Sequence, residues 1–364
     1  MNITFYPVGN GDTCFVKLDK KTLLFDFAAL HDSSNPDDLR IDLPNALKID
    51  IGSTKKEIDV VAFTHLDDDH VHGASEFFHL DHAEKYQGDG RVVIKELWVP
   101  AAAITEEGAE DDARIIRQEA RHRLRKGSGV RVFSRPAHLE EWLKKEGLSL
   151  ASRQSLITGA GELVPNLNKD SDGIEVFVHS PFAEQDGDTV LDRNENSLVF
   201  QLTFKPGNTH MLLAADTDWE NLERIVKITR LKRNDDRLKW DIYKIPHHCS
   251  YLSLNAEKGK TETVPNSNVA WLIESCANER AIMVSSSQII SDKDEDQPPH
   301  FQAKNCYKKK VESKSGKFIV TMEHPNRTDP KRLVINITPA GASIGASSSI
   351  GSGAAITSPA PRVG

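Results

Sequence analysis

Within Thr64-His65-Leu66-Asp67-Asp68-Asp69-His70-Val71-His72-Gly73-Ala74, two histidines and three carboxylates fall in the six positions from 65 to 70. Imidazole nitrogens and carboxylate oxygens are ordinary ligands of divalent cations. Five such donors crowded together call for a cation, and a plain solvated acidic turn is the poorer reading. His65 and Asp67, two apart, can reach one ion, while Asp69 and His70 splay toward another. Two divalent metals are therefore expected.

The other polar residues of interest also stand where apolar runs stop. Leu23-Leu24-Phe25-Asp26-Phe27 ends on Asp26, Met211 to Ala215 ends on Asp216, and Trp240 to Ile245 runs into Pro246-His247-His248-Cys249-Ser250. The run before the central motif, Ile58 to Phe63, is short, β-branched and aromatic, as a buried parallel strand should be. In open α/β sheets functional groups collect beyond the carboxyl ends of strands, so ligands are expected at these strand ends. Asp12, in Val8-Gly9-Asn10-Gly11-Asp12, and Asp26 could equally be turn caps or neighbours of the metal site.

Further strands are predicted at Asn2 to Phe5, Cys14 to Leu18, Val92 to Ile94, Leu97 to Pro100, Ile174 to Val178, Ser197 to Leu202, Ala281 to Ser285, Phe318 to Thr321 and Leu333 to Ile337. Between about 102 and 163 the chain turns helical and charged, with acids from Glu106 to Asp112 leading into arginines closed by Gly127, a sequence matched to the helix dipole and a C-cap. This stretch reads as an insertion in a domain spanning 1–337. Arg114, Arg117 and Arg121 share one helical face and are candidate phosphate contacts, beside the simpler reading of a solvated face. Residues 338–364, rich in Gly, Ala, Ser and Pro, read as a flexible tail.

The composition, 38% hydrophobic and 27% charged over 364 residues, is that of a globular protein with a substantial core. No run is long enough to span a bilayer, and the opening residues lack signal-peptide character, which points to a cytoplasmic chain without membrane contact. Cys14, Cys249, Cys276 and Cys306 lie far apart without CxxC spacing, so neither a zinc knuckle nor a redox pair is indicated. A net charge of -8 argues against indiscriminate nucleic-acid binding and confines any polyanion site to a local patch.

Taken in order, His65, Asp67, Asp69 and His70, then Asp216, then His247-His248 resemble the metallo-β-lactamase superfamily, whose fold is an α/β, four-layer αββα sandwich with metals held at one edge. Five motifs are similar to those of the hydrolase domain of the bacterial competence (DNA-internalisation) protein. Val8-Gly9-Asn10-Gly11-Asp12 resembles its VGxGD and Leu24-Phe25-Asp26 its LxD. Thr64 to His70 resembles THxDxDH, Asn194 to Leu198 NxNSL, and Ile245 to Ser250 VPHHGS. His72 and Cys249 depart from glycines of that pattern. The superfamily's histidine between the first motif and the bridging aspartate has no clear counterpart: Asn196 falls nearest by spacing, and His179 lies farther upstream.

The resemblance implies Asp216 bridging two zinc or manganese ions, with His65 and Asp67 on one and Asp69, His70 and His247 on the other. Asp26, His72, His179 and Asn196 are possible further ligands or neighbours. Asp69 and His248 are the expected catalytic pair, with His248 holding a substrate oxygen or protonating the leaving group, and a hydroxide between the metals is the expected nucleophile. Carboxylate at Asp67 in place of imidazole hardens that site and tilts selectivity toward manganese.

The reading that follows is a metal-dependent phosphodiesterase or nuclease acting on DNA or RNA, with the arginine helix and Lys308-Lys309-Lys310 as possible phosphate contacts. Two alternatives stay open: a hydrolase of small esters, lactones or amides, and a non-catalytic effector or scaffold of a multi-protein system, such as one for defence, met by a partner through the insertion or the tail.

Overall fold

The structure, a computed structural model, describes residues 1–52, 56–182 and 197–345. Two sheets form the frame. The first runs from Gly341–Ile344 through Leu333–Thr338, Asn2–Phe5, Cys14–Lys17, Thr22–Phe25, Glu57–Ala62, Val92–Pro100 and Val130–Phe133 to Ile157–Thr158, with Phe78–His79 pairing beside Val92–Pro100. It is antiparallel up to Thr22–Phe25 and parallel beyond. The second sheet orders Lys317–Val320, Ala277–Ser285, Trp240–Lys244, Thr209–Leu213, Val199–Phe204 and Ile174–Ser180, parallel among its first four strands.

Alternation along these strands builds three apolar layers. Leu23 and Phe25 point to one face and Leu24 to the other, and Met211 and Leu213 oppose Leu212 in the same way. The inner layer joins the sheets, with Phe25, Trp98, Phe133 and Phe200 in mutual ring contact at 5.1–6.1 Å. On the outer face of the first sheet, Leu24, Val61 and Leu97 pack with Leu47, Ile116 and Leu139 of flanking helices. On the outer face of the second, Leu212, Tyr243 and Met283 pack with Ile225, Leu272 and Tyr307. Helix, sheet, sheet and helix give the four-layer αββα sandwich. Each of these fully buried side chains contributes about 1.5–3 kcal/mol relative to exposure.

Residues 102–163 are not a purely helical insertion. The helix Asp111–Lys126 is there and closes on Gly127 at φ +84°, its N–H bonded to Arg123 O. The chain then returns as Val130–Phe133 and Ile157–Thr158, which continue the first sheet in parallel. Short β-rich runs between strongly charged helices concealed that continuation. Likewise Gly341–Ile344, assigned to the tail, pairs with Leu333–Thr338; residues 346–364 lie outside those described. Among the described residues no helix is long and apolar enough to cross a membrane.

Candidate metal centre

Asp69 and His70 sit in the short helix Asp68–Val71, launched by Glu57–Ala62; Asp216 follows Thr209–Leu213, and His248 follows Trp240–Lys244. These four side chains bring one ligand atom each within 4.8 Å of one another. His248 Nε2 lies 2.8 Å from Asp69 Oδ2 and 3.5 Å from Asp216 Oδ2, and His70 Nε2 lies 3.2 Å from Asp216 Oδ1. All but Asp69 are buried.

Both histidines are aimed by hydrogen bonds on their far nitrogens. His70 Nδ1 is 2.9 Å from Asp26 Oδ2, and His248 Nδ1 is 2.8 Å from the carbonyl of Ser286. Oriented histidine ligands have this carboxylate or carbonyl behind them, which fixes the tautomer and turns Nε2 inward. Asp26 is itself pinned: its carboxylate accepts from the Thr64 N–H and hydroxyl, each at 2.7 Å.

Asp12 stands beside the cluster. Its N–H donates to Asp69 O at 3.0 Å, its Oδ2 is 3.9 Å from His70 Nε2, and its other contact is the ammonium of Lys244. Asp12, Asp26 and His70 form a second potential donor group. Lys244, also buried, completes this corner.

The electrostatics couple two imidazoles to two carboxylates. Burial opposes it, yet Asp216, Asp26 and Asp69 raise His70 well above the usual imidazole range. His248 is likewise pushed up to about 9, against burial, by Asp216 and the hydrogen bond to Asp69. Asp69 and Asp216 are held well below the usual carboxylate range by His70 and His248, again against burial.

The residues fit a divalent cation. His65 Nε2, His70 Nε2, Asp216 Oδ1 and Asp12 Oδ1 are buried without a hydrogen bond of acceptable geometry. The 3.2 Å approach of His70 to Asp216 brings two such atoms together without satisfying either. A buried polar atom left unpaired costs about 1–3 kcal/mol, and one ion among them answers several at once. Two carboxylates and two imidazoles form a mixed oxygen and nitrogen set that suits zinc or manganese.

Backbone strain gathers here too. Asp26, Ala215, His247, His248 and Cys249 all have φ between +44° and +69°, and they stand at the strand ends that carry the cluster. Non-glycine residues persist in this region only when their surroundings hold them there.

Against the sequence reading, the histidine pair exchanges places. His248 joins Asp69, His70 and Asp216, while His247, at 24% side-chain exposure, lies at the rim with Nε2 4.0 Å from Asp216 Oδ2. Burial lowers the His247 pKa, partly offset by Asp216. His65 and Asp67 lie adjacent, with Nε2 3.5 Å from Oδ2, and the His65 ring lies 3.9 Å from that of His70, tilted at 51°. Asp26 supports His70 from behind the cluster.

His72 is outside the cluster, half-exposed and bonded through Nδ1 to Asp68 at 3.1 Å. It lines a cavity of about 610 Å³ with Asp42, Asp68, Glu76, Asp111 and Asp112. His179 is elsewhere: its Nε2 contacts Arg237 O at 2.8 Å, its Nδ1 faces Thr229, and burial lowers its pKa to about 4. Asn196 falls outside the described residues.

Two of the three arginines are committed elsewhere. Arg117 donates to Glu106 O at 2.7 Å and Arg121 to Ile104 O at 2.7 Å, satisfying carbonyls at the end of the helix Ala101–Thr105; Arg114 is exposed. Lys308, Lys309 and Lys310 face Glu312, Glu262 and Glu274. Sequence reasoning missed Lys244, whose signal was a lysine closing a strand, Trp240–Lys244, directly before the histidine turn.

By sequence, no known family and no curated protein matches the chain. Among solved structures, yeast PDE1 aligns over 88% of this chain and 96% of its own at 10% identity, TM-score 0.44. A metallo-β-lactamase fold protein, YhfI from Bacillus subtilis, aligns over 88% and 95% at 10% identity, TM-score 0.39. CmlA β-hydroxylase aligns over 92% of this chain at 14% identity, TM-score 0.43, and the chain spans about half, 54%, of that protein's length.

Proposed function

We propose that this chain is a metal-dependent hydrolase that cleaves phosphodiesters, with DNA or RNA as the substrate class implied by its resemblance to the competence-protein hydrolase. The observation that carries the metal dependence is the set of buried, unsatisfied donor atoms on His65, His70, Asp12 and Asp216, which converge from both halves of the sandwich. Asp69, His70, Asp216 and His248 would hold one cation, and His65 with Asp67 offers donors for another. A divalent cation bound there supplies Lewis acidity toward a phosphoryl oxygen and makes water more acidic. The protein's part is positioning. Asp26 and the Ser286 carbonyl orient the two imidazoles, and buried Lys244 with Asp12 supports the turn behind Asp69. His247, at the solvent side and with its pKa lowered by burial, is placed to hold a substrate oxygen or pass a proton to the leaving group.

A second reading, a hydrolase of small esters, lactones or amides, is favoured by the cavity beside the central motif. Its five carboxylates would repel a polyanion while admitting a compact or cationic molecule.

One experiment separates these readings. Metal content is measured beside cleavage of single- and double-stranded DNA and RNA, bis-p-nitrophenyl phosphate, and simple esters and lactones, in zinc and in manganese, for wild type and Asp69→Ala. Phosphodiester cleavage lost in the variant supports the first reading. Ester or lactone turnover without phosphodiester cleavage supports the second, and bound metal with no turnover of any substrate defeats both.

A further inference from the structure

At the same carboxyl end of the second sheet, two strands from the histidine turn, lies a cavity of about 340 Å³ lined by Lys304, Lys308, Phe318, Ile319, Val320, Glu323, His324 and Arg327. Its walls are the helix Phe301–Glu312, the edge strand Lys317–Val320 and the turn that follows. With strands about 4.8 Å apart, this places it about 10 Å across the sheet from the strand that delivers His247 and His248. A backbone relay links the two. His300 N–H donates to Cys249 O at 3.1 Å, and Lys304 N–H donates to His300 O at 3.0 Å, so Lys304 stands one helical turn from the histidine turn.

The lining is cationic. Among the described residues Lys304 has no carboxylate partner, and the Nε2 atom of His324 is buried without a hydrogen bond. Glu323 is the one carboxylate, and it is already committed to the Ile290 N–H at 3.1 Å and to Arg327 at 2.8 Å. The Lys308 contact with Glu312 is loose, at 3.8 Å. Phe318 and Ile319 give half-buried apolar walls. Lys304, Lys308 and Arg327 against the single lining carboxylate of Glu323 leave the pocket net positive, suited to an anion with several acceptor oxygens.

We propose that this cavity is a subsite for a phosphate-class anion, receiving a phosphate distal to the bond that the metal centre cuts. Lys304 and Lys308 supply charge, the His324 ring forms part of the wall, and Phe318 accommodates the apolar portion of the same molecule. Its role as a substrate subsite rests on the phosphodiesterase reading, whereas anion binding stands on the cavity alone.

The test uses inorganic pyrophosphate titrated calorimetrically into the full chain after metal has been stripped and the protein desalted, so that metal-held phosphate contributes nothing. Wild type is expected to bind, Lys304→Ala/His324→Ala to bind at least tenfold more weakly, and Glu323→Gln, which frees Arg327, to bind more tightly. Equal affinity in wild type and the double variant overturns the proposal, as does absence of binding in both wild type and Glu323→Gln. Since the double variant could perturb the adjacent turn, Lys304→Glu is measured alongside; it keeps a long helical side chain and should abolish binding with the circular-dichroism spectrum unchanged. Pyrophosphate binding that behaves as expected, in a protein that cuts no phosphodiester, supports the anion site and counts against the phosphodiesterase reading alone.

Discussion

The ammonium of Lys244 donates to the Asp12 carboxylate across 232 positions of sequence, and both groups are buried. The pair fastens the first half's opening turn to the second half's central strand, directly behind Asp69 and Asp216. Lys244 also approaches the carbonyl of Ala215 at 3.4 Å. Removing one partner leaves the other charge buried without its ion-pair partner. Lys244→Met is therefore expected to cost about 3–5 kcal/mol, and Lys244→Met/Asp12→Asn to recover most of that loss. Denaturant midpoints of the two variants check this; a double variant as unstable as the single one would show that the pair's charge is not what matters.

Asp26 bonds His70 Nδ1 and stands in a donor group with Asp12, so its effect should appear in metal affinity. Asp26→Ala is expected to weaken metal binding about 10- to 100-fold, because His70 loses its orienting carboxylate. Competition with a chromogenic chelator measures this. Unchanged affinity in a folded Asp26→Ala protein would remove Asp26 from the supporting shell.

His248 makes the metal-free protein pH-sensitive in a definite direction. Its folded pKa of about 9 lies above the unfolded value of about 6.5, so the stability it confers is fully present below pH 6.5 and drains away as pH rises through 9. The loss from this group is on the order of 3 kcal/mol. Binding a cation requires that proton to leave, so His248 alone should raise apparent metal affinity by up to about tenfold per pH unit between 6.5 and 9, and displacement of the His70 proton adds to that slope. Urea midpoints of stripped wild type and His248→Gln at both pH values test the first point: the wild type should lose more than the variant. Equal losses would rule His248 out as the titrating group.

Strand ends were legible because residues 58–63, 211–215 and 240–245 are short, largely apolar runs that stop on polar groups; that the first belongs to one sheet and the other two to a second was not. Which histidine of 247 and 248 turns inward was not legible. Both carry φ of +49°, and the choice is made by the Ser286 carbonyl, 38 residues away, which captures the Nδ1 atom of His248. The arginine helix misled for a related reason. Spacing shows that Arg117 and Arg121 share a face, but only the fold shows that the carbonyls of Ile104 and Glu106 lie against it. The strands at Val130–Phe133 and Ile157–Thr158 are too brief to stand out against their charged surroundings.

Cys249 stands at φ +69°, third in a left-handed run after His247 and His248, where the resembled motif carries glycine. A side chain in that conformation costs about 1–2 kcal/mol. Against this, the thiol is fully buried in the outer core of the second sheet, 3.9 Å from His300 O, and burial keeps it protonated. Deleting it forfeits packing worth about 1 kcal/mol. The two effects nearly cancel, so Cys249→Gly should shift stability by no more than about 1 kcal/mol and leave metal affinity unchanged. Cys249→Val keeps apolar bulk but puts a β-branched residue where the backbone least tolerates one, and should lose about 2–3 kcal/mol and weaken metal binding by misplacing His248. Denaturation and metal titration of both variants decide the matter: a glycine variant that loses more than about 3 kcal/mol would mean that thiol packing, not backbone conformation, governs this turn.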